Sequence, residues 1–100
     1  MSSQLHPVSP QHYRLSGDLD FKSVAALHEA LQPLFKDNSE LTVNLGDVGR
    51  ADSAGVALLA DWFRQANQHD IKLRYLDIPP QMLSIVRVSG LDSILPLFRS

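Results

Sequence analysis

The chain contains no cysteine. Disulfide staples, thiolate metal sites and thiol nucleophiles are thereby excluded. It has no excess of positive charge: nine Lys and Arg stand against eleven Asp and Glu, for a formal net charge of −2. That balance carries no nucleic-acid or anionic-membrane footprint. Long apolar runs are missing too. The longest, Val56 to Ala60, has five residues, far short of a bilayer span, so no direct membrane insertion is expected. The opening Met1-Ser2-Ser3-Gln4-Leu5-His6-Pro7 lacks a charged stretch followed by an apolar one. No secretion signal is expected, and the expected location is the cytoplasm. No repeat or low-complexity tract appears, so the 100 residues read as a single domain. With 44% hydrophobic residues there is enough apolar matter for one core. A chain this size buries roughly 60–70% of its unfolded surface.

The pattern that is present alternates strands and helices. Gln4 to Val8 reads as an edge strand, where Pro7 is tolerated because it donates nothing to a ladder. Ser9-Pro10-Gln11 is turn chemistry, and His12 to Ser16 reads as the second strand of a hairpin, closed by Gly17-Asp18. Residues 22–36 carry Val24, Leu27, Leu31 and Leu34/Phe35 at helical spacing, with Asp20 as the N-cap and a kink expected at Pro33. Leu41 to Leu45 alternates as a strand, and Gly46 to Ala51 reads as the loop after it. A second helix spans about 53–68, capped by Asp52, with Val56, Leu59, Ala60 and Phe63 as its core stripe. Lys72 to Leu76 is a further strand. Pro79-Pro80 opens a third helix with Met82, Leu83, Ile85 and Val86 as apolar positions, and Gly90 ends it. Asp92 caps a last helical turn, Ser93 to Phe98. The order predicts an α/β fold: a mixed sheet of about four strands with an N-terminal hairpin, packed by three to four helices. Right-handed crossovers make the strands at 41–45 and 72–76 parallel neighbours. The segment Gly46 to Ala54, at the carboxyl end of a strand, is the place to look for function.

Catalytic signatures are missing. There is no phosphate-cradling G-x-x-x-x-G-K-[ST], no G-x-G-x-x-G, no G-x-S-x-G and no H-E-x-x-H. The histidines His6, His12, His28 and His69 fall on separate elements without ligand spacing, so no metal and no cofactor is expected. Asp18 and Asp20 flank a turn and a helix start, which favours turn formation and capping over acid/base work. The chain is therefore not expected to be an enzyme.

The informative segment is Arg50-Ala51-Asp52-Ser53-Ala54-Gly55-Val56-Ala57-Leu58-Leu59, a strand-to-helix junction. A helix start carries unpaired backbone donors and a partial positive charge. Ser53 falls at its first position, and Ala54 and Gly55 are small enough for another backbone to approach. Two readings stand side by side. In one, Asp52 is a cap, Ser53 a hydrophilic first-turn residue and Gly55 a packing accommodation. In the other, the tip is a docking or phosphorylation site. Phosphate on Ser53 adds about −1.5 to −2 charge. The helix dipole favours it by about 0.3–1 kcal/mol, while the adjacent Asp52 opposes it. Phosphorylation would then block a contact rather than order a loop. Ser53, Ala57 and Asp61 share a strip that can face solvent, framed by Arg50 and Arg64 for an acidic partner. Leu58 and Trp62 lie off the core stripe; they either pack beneath neighbouring helices or, for Trp62, anchor an interface.

Leu15-Ser16-Gly17-Asp18-Leu19-Asp20, then Val43-Asn44-Leu45, then Ala51-Asp52-Ser53-Ala54-Gly55-Val56-Ala57-Leu58-Leu59 resemble a STAS domain, the fold of sulfate-transporter tails and anti-sigma-factor antagonists. The D-S-x-G at a helix start is the most specific element. Asp61-Trp62-Phe63-Arg64-Gln65-Ala66 and Arg87-Val88-Ser89-Gly90-Leu91-Asp92 are similar to the MlaB-type stand-alone STAS subunits of Mla phospholipid transport systems. The resemblance implies a non-catalytic cytoplasmic subunit of an inner-membrane ABC phospholipid transporter. Such a subunit would be peripheral at the membrane through its complex and would bind and support the ATPase subunit beside its permease. It implies partner contact through Asp52, Ser53, Ala54, Gly55, Ala57 and Asp61. The alternative is an anti-sigma-factor antagonist switched by phosphorylation of Ser53. A small-ligand binder or enzyme on the same scaffold is a third reading that no motif supports.

Overall fold

The computed structural model describes residues 3–100. Nine elements follow one another: β1 (Gln4–Ser9), β2 (His12–Leu19), α1 (Val24–Leu31), α2 (Leu34–Asp37), β3 (Glu40–Ala51), α3 (Ser53–Gln68), β4 (Lys72–Leu76), α4 (Pro80–Val88) and β5 (Leu97–Phe98). They build one mixed sheet in the order β1-β2-β3-β4-β5. β1 and β2 are antiparallel, and every later pairing is parallel. The sheet thus has five strands, one more than the sequence pattern suggested.

The hairpin forms where expected, but Gly17-Asp18 does not close its second strand: β2 continues through both to Leu19. Pro10 and Gln11 make its corner, and Gln11 takes a positive φ of 67°. Pro7 lies on the edge strand. The helix expected over 22–36 is two helices, α1 and α2. Pro33 cannot donate to Glu29, and its ring crowds that carbonyl. The chain answers with tighter bonds on either side, Gln32 N–H to Glu29 O and Lys36 N–H to Pro33 O, both at 3.2 Å. Asp20 is not the N-cap of α1, which is Ser23; it holds the preceding turn instead, accepting from the backbone N–H of Lys22 (2.9 Å) and Ser23 (3.0 Å).

Two further expectations fail. Gly46 to Ala51 is not a loop but the second half of β3. It pairs with β2 through Ser16/Asp47, Gly17/Val48 and Leu19/Ala51, after shifts of register that act as bulges. Those shifts, with two glycines three apart, erase the period-two signature a single strand would show. Residues 93–98 do not form a helical turn continuing to Phe98. Leu97–Phe98 adds to the sheet instead, with Tyr75 N–H donating to Pro96 O and Asp77 N–H to Phe98 O, each at 2.9 Å.

One face of the sheet is apolar, with Leu15, Leu19, Leu41, Val43, Leu45, Leu73 and Tyr75 buried. Arg14, Thr42, Asn44 and Arg74 alternate onto the other face, as expected of a sheet packed on one side only. Helix α3 touches both α1 and α4, so its buried arc is wide. Val56 and Leu59 are buried as anticipated, but Ala60 and Phe63 are only partly so, and Leu58, Trp62 and Ala66 complete the packed surface. Trp62 has no exposed surface (0%) and is a core residue, which removes the interface-anchor reading. The Tyr75 hydroxyl donates to Leu59 O at 2.7 Å, fixing α3 to β4. Burial pushes that phenol well above its ordinary range, with a smaller push from Asp61.

Candidate functional site

The corner between β3 and α3 is built by local chemistry. Asp52 leaves the strand in an extended conformation (φ −109°, ψ −170°), and its Oδ1 accepts from Ala54 N–H at 2.9 Å and Gly55 N–H at 3.3 Å. Two of the four donors a helix start leaves open are satisfied in this way. Asp52 N–H donates to Leu19 O at 3.1 Å, which ties the corner to the end of β2. Ser53 is the first residue of α3 and is exposed. Among the described residues its hydroxyl has no hydrogen-bond partner. Asp52 is exposed and Ala54 half-buried.

Gly55 departs from its expected role. It is buried, and a Cβ there would come within 2.8 Å of both Leu19 Cβ and Leu19 O. A backbone does approach this glycine closely, but it is the chain's own β2. Gly55 is therefore not a surface for a partner; it lets the helix tip sit against the sheet.

Farther along α3, Ala57 is exposed and Asp61 is partly covered. Asp61 receives Arg64 Nη2 and Gln65 Nε2, each at 2.6 Å, and lies 3.3 Å from His28 Nδ1 on α1. Burial alone would raise the Asp61 carboxyl, but the bonds from Arg64 and Gln65 outweigh it and hold the group below its ordinary value. Arg64 is thus committed to its own helix rather than framing the strip. Arg50 is exposed; its N–H donates to Asp18 Oδ1 at 2.9 Å.

Three features were not foreseen. The first is Gln81 on α4. Its Oε1 accepts from Ala51 N–H at 3.0 Å and its Nε2 donates to Ala51 O at 2.7 Å. β4 pairs with β3 only as far as Asn44, so Gln81 takes the place of the missing strand next to the corner. The second is a depression of about 300 Å³ lined by Asp18, Leu19, Asp20, Arg50, Ala51 and Asp52. Its carboxylates outnumber its one cation. The N–H of Ser23 is the main cause holding Asp20 low, with that of Lys22 adding to it. The third is Phe21, which follows Asp20 and is 83% exposed. A lone amide and a lone aromatic leave no periodic trace, so only the Asp18/Asp20 turn had a sequence signal.

Among the described residues no group of three or more His, Asp or Glu is placed to hold a metal. Among the described residues no helix is long and apolar enough to cross a membrane. The corner offers a free hydroxyl at the positive end of a 16-residue helix, beside a capping carboxylate. Such a hydroxyl can be packed against another polypeptide or can take a phosphoryl group.

Comparison with known proteins agrees with this architecture. The chain is 29% identical over 83 residues to an anti-sigma-B factor antagonist of Staphylococcus aureus (strain NCTC 8325 / PS 47), covering 82% of this chain and 77% of that protein. It superposes on the unphosphorylated form of the anti-sigma factor antagonist SpoIIAA with a TM-score of 0.77 at 19% identity, over 98% of this chain and 87% of the other. The phosphorylated form of SpoIIAA, a Bacillus cell fate determinant, gives 0.74 at 20%, over 98% and 90%. At those identities the two superpositions establish the fold alone. The sequence profile described as "Mlab, STAS domain" matches residues 5–97, and on that match the chain belongs to the STAS domain family.

Proposed function

We propose that this protein is a non-catalytic binding module that acts as an anti-sigma-factor antagonist, docking on its partner through Asp52, Ser53, Ala54 and Ala57. Phosphorylation of Ser53 would end the contact. The observation that carries this reading is the exposed, uncommitted Ser53 hydroxyl at the tip of α3, in a chain whose curated relatives include anti-sigma-B factor antagonists. Phosphate there would stand beside the Asp52 carboxylate. It would bring about −1.5 to −2 charge into a surface that must be desolvated on docking. A module without catalytic groups acts by stabilising one state of its partner, because binding that state shifts its population.

A second reading is favoured by the profile's description: a subunit that binds the ATPase of an ABC phospholipid transporter, held at the cytoplasmic side of the inner membrane through the complex and its permease. The same corner would serve, with Ser53 as a contact rather than a switch. Affinity capture of the tagged protein from its native cell separates the two. Recovery of an anti-sigma factor, with Ser53 found phosphorylated in the unbound pool, supports the first. Recovery of an ABC ATPase with its permease, and no phosphate on Ser53, replaces it with the second. In both, Ser53→Asp weakens the recovered complex by about tenfold or more, because an unpaired charge in a docked surface is costly. Unchanged affinity removes Ser53 from the interface.

A further inference from the structure

On the far side of α4 from the Gln81 clamp lies a groove of about 680 Å³, independent of the α3 corner. It opens at the carboxyl ends of β4 and β5, the place where open α/β sheets bind ligands. Its lining mixes polar and apolar surface, and Ile78, Leu83, Leu97 and Phe98 supply the apolar part. Phe98 is 51% exposed, so apolar surface of a lining residue is left open to solvent. Two guanidiniums, Arg87 and Arg99, line the same groove, and neither has an ion-pair partner among the described residues. The only carboxylate in the lining, Asp77, is already occupied. It accepts from Ser100 N–H at 2.9 Å, from Ser100 Oγ at 2.7 Å and from Asn44 Nδ2 at 3.1 Å. Those bonds, the Ser100 N–H first, hold its carboxyl below the ordinary value, with a smaller contribution from the charge of Arg99, so it stays ionised and turned toward its donors. Asp77 also takes a positive φ of 58°, a conformation that costs energy and concentrates at functional sites.

We infer that this groove binds a small amphipathic anion, a carboxylate or phosphate monoester on a short apolar chain, its head between Arg87 and Arg99 and its chain against Ile78, Leu83, Leu97 and Phe98. The volume falls in the range of small-molecule sites, and apolar walls with a few placed charges are their usual composition. Two forked donors suit a planar carboxylate or a phosphate group, and neither arginine must break an internal ion pair to bind it. The free head alone lacks the apolar contacts, and an uncharged chain leaves both cations unpaired.

The test is a titration of the isotopically labelled protein with decanoate, followed by amide chemical shifts, with acetate, inorganic phosphate and decanol as separate arms. The expected result is saturable binding of decanoate with shifts at Gly46, Ile78, Leu83, Arg87 and Phe98. Acetate and phosphate should bind about tenfold or more weakly for want of the apolar contacts, and decanol and the R87E/R99E variant should lose as much for want of the charge pairing. Both arginines are exposed, so the variant keeps the fold, which its own spectrum verifies. Shifts confined to other surfaces, binding of decanol equal to that of decanoate, or an unaltered affinity in R87E/R99E would overturn the assignment. Phosphate binding as tightly as decanoate would also overturn it, because the apolar walls would then contribute nothing.

Discussion

Replacing Gln81 by glutamate tests the corner at the level of single hydrogen bonds. In the native protein one amide gives Ala51 both of its missing bonds, accepting at 3.0 Å and donating at 2.7 Å. An ionised glutamate can accept from Ala51 N–H but has nothing to donate, so its second oxygen faces the Ala51 carbonyl. Leaving a buried acceptor without its donor costs about 1–3 kcal/mol. Gln81 is exposed and water can reach part of the pair, so the lower half applies, about 1–2 kcal/mol. For a domain of this size that is a fall in Tm of about 4–8 °C per kcal/mol. A protonated glutamate has one donor and one acceptor and restores both bonds. Its folded-state pKa is therefore raised. The lost stability is present below the unfolded value of about 4.3 and disappears as pH rises through the folded one. Paired urea denaturations of Q81E and the native protein, near pH 7 and near pH 4, read this directly. The difference between the two proteins should shrink at the acid end, where losses common to both cancel. Q81L should show a cost that does not change with pH. An equal cost for Q81E at both pH values would refute the clamp.

Other consequences follow from the same contacts. Trp62→Ala should cost about 3–5 kcal/mol of stability by denaturant titration, because the side chain is wholly buried; a cost under 1 kcal/mol would put the ring outside the core. Gly55→Ala should destabilise by about 1–3 kcal/mol through overpacking, less a helix-propensity gain of up to about 1 kcal/mol. The obstacle is the backbone and Cβ of Leu19, which cannot swing aside, and a stabilised variant would contradict that packing. The carboxyls of Asp20, Asp61 and Asp77 are all held low, so their contribution is present above their unfolded values and lost as pH falls through the folded ones. Asp20→Asn should accordingly flatten the acid limb of the stability profile below about pH 4, and an unchanged limb would contradict the capping bonds.

What the sequence revealed depended on how local the cause was. Asp52 was legible as a cap because a carboxylate two and three residues from open N–H groups needs nothing else. Pro80 at the start of α4 and Gly90 after its end (φ 74°) are similarly self-contained. The second half of β3 was hidden because its partner, β2, lies thirty residues away and pairs through bulges. β5 was hidden because two residues carry no period, and its pairing to β4 rests on backbone bonds such as those of the Tyr75 and Asp77 amides. The side of α3 that holds Trp62 was ambiguous for a related reason. Amphipathicity marks the face toward a sheet, but α1 and α4 flank this helix and widen the covered arc. At the candidate site, Ser53 and Ala57 occupy the exposed strip their spacing implied. Gly55 stayed open between packing and partner contact because smallness alone does not say whose backbone comes close, and the structure selects packing.

The central claim is that the tip of α3 meets another protein. A photo-crosslinking residue at Ala57, exposed one turn from Ser53, tests it most directly when compared with the same residue at Lys72 on the exposed surface of β4. The account predicts that Ala57 crosslinks in the native cell to an anti-sigma factor, or to an ABC ATPase under the second reading, and that Lys72 does not. Crosslinks to that partner from Lys72 with none from Ala57 would contradict it.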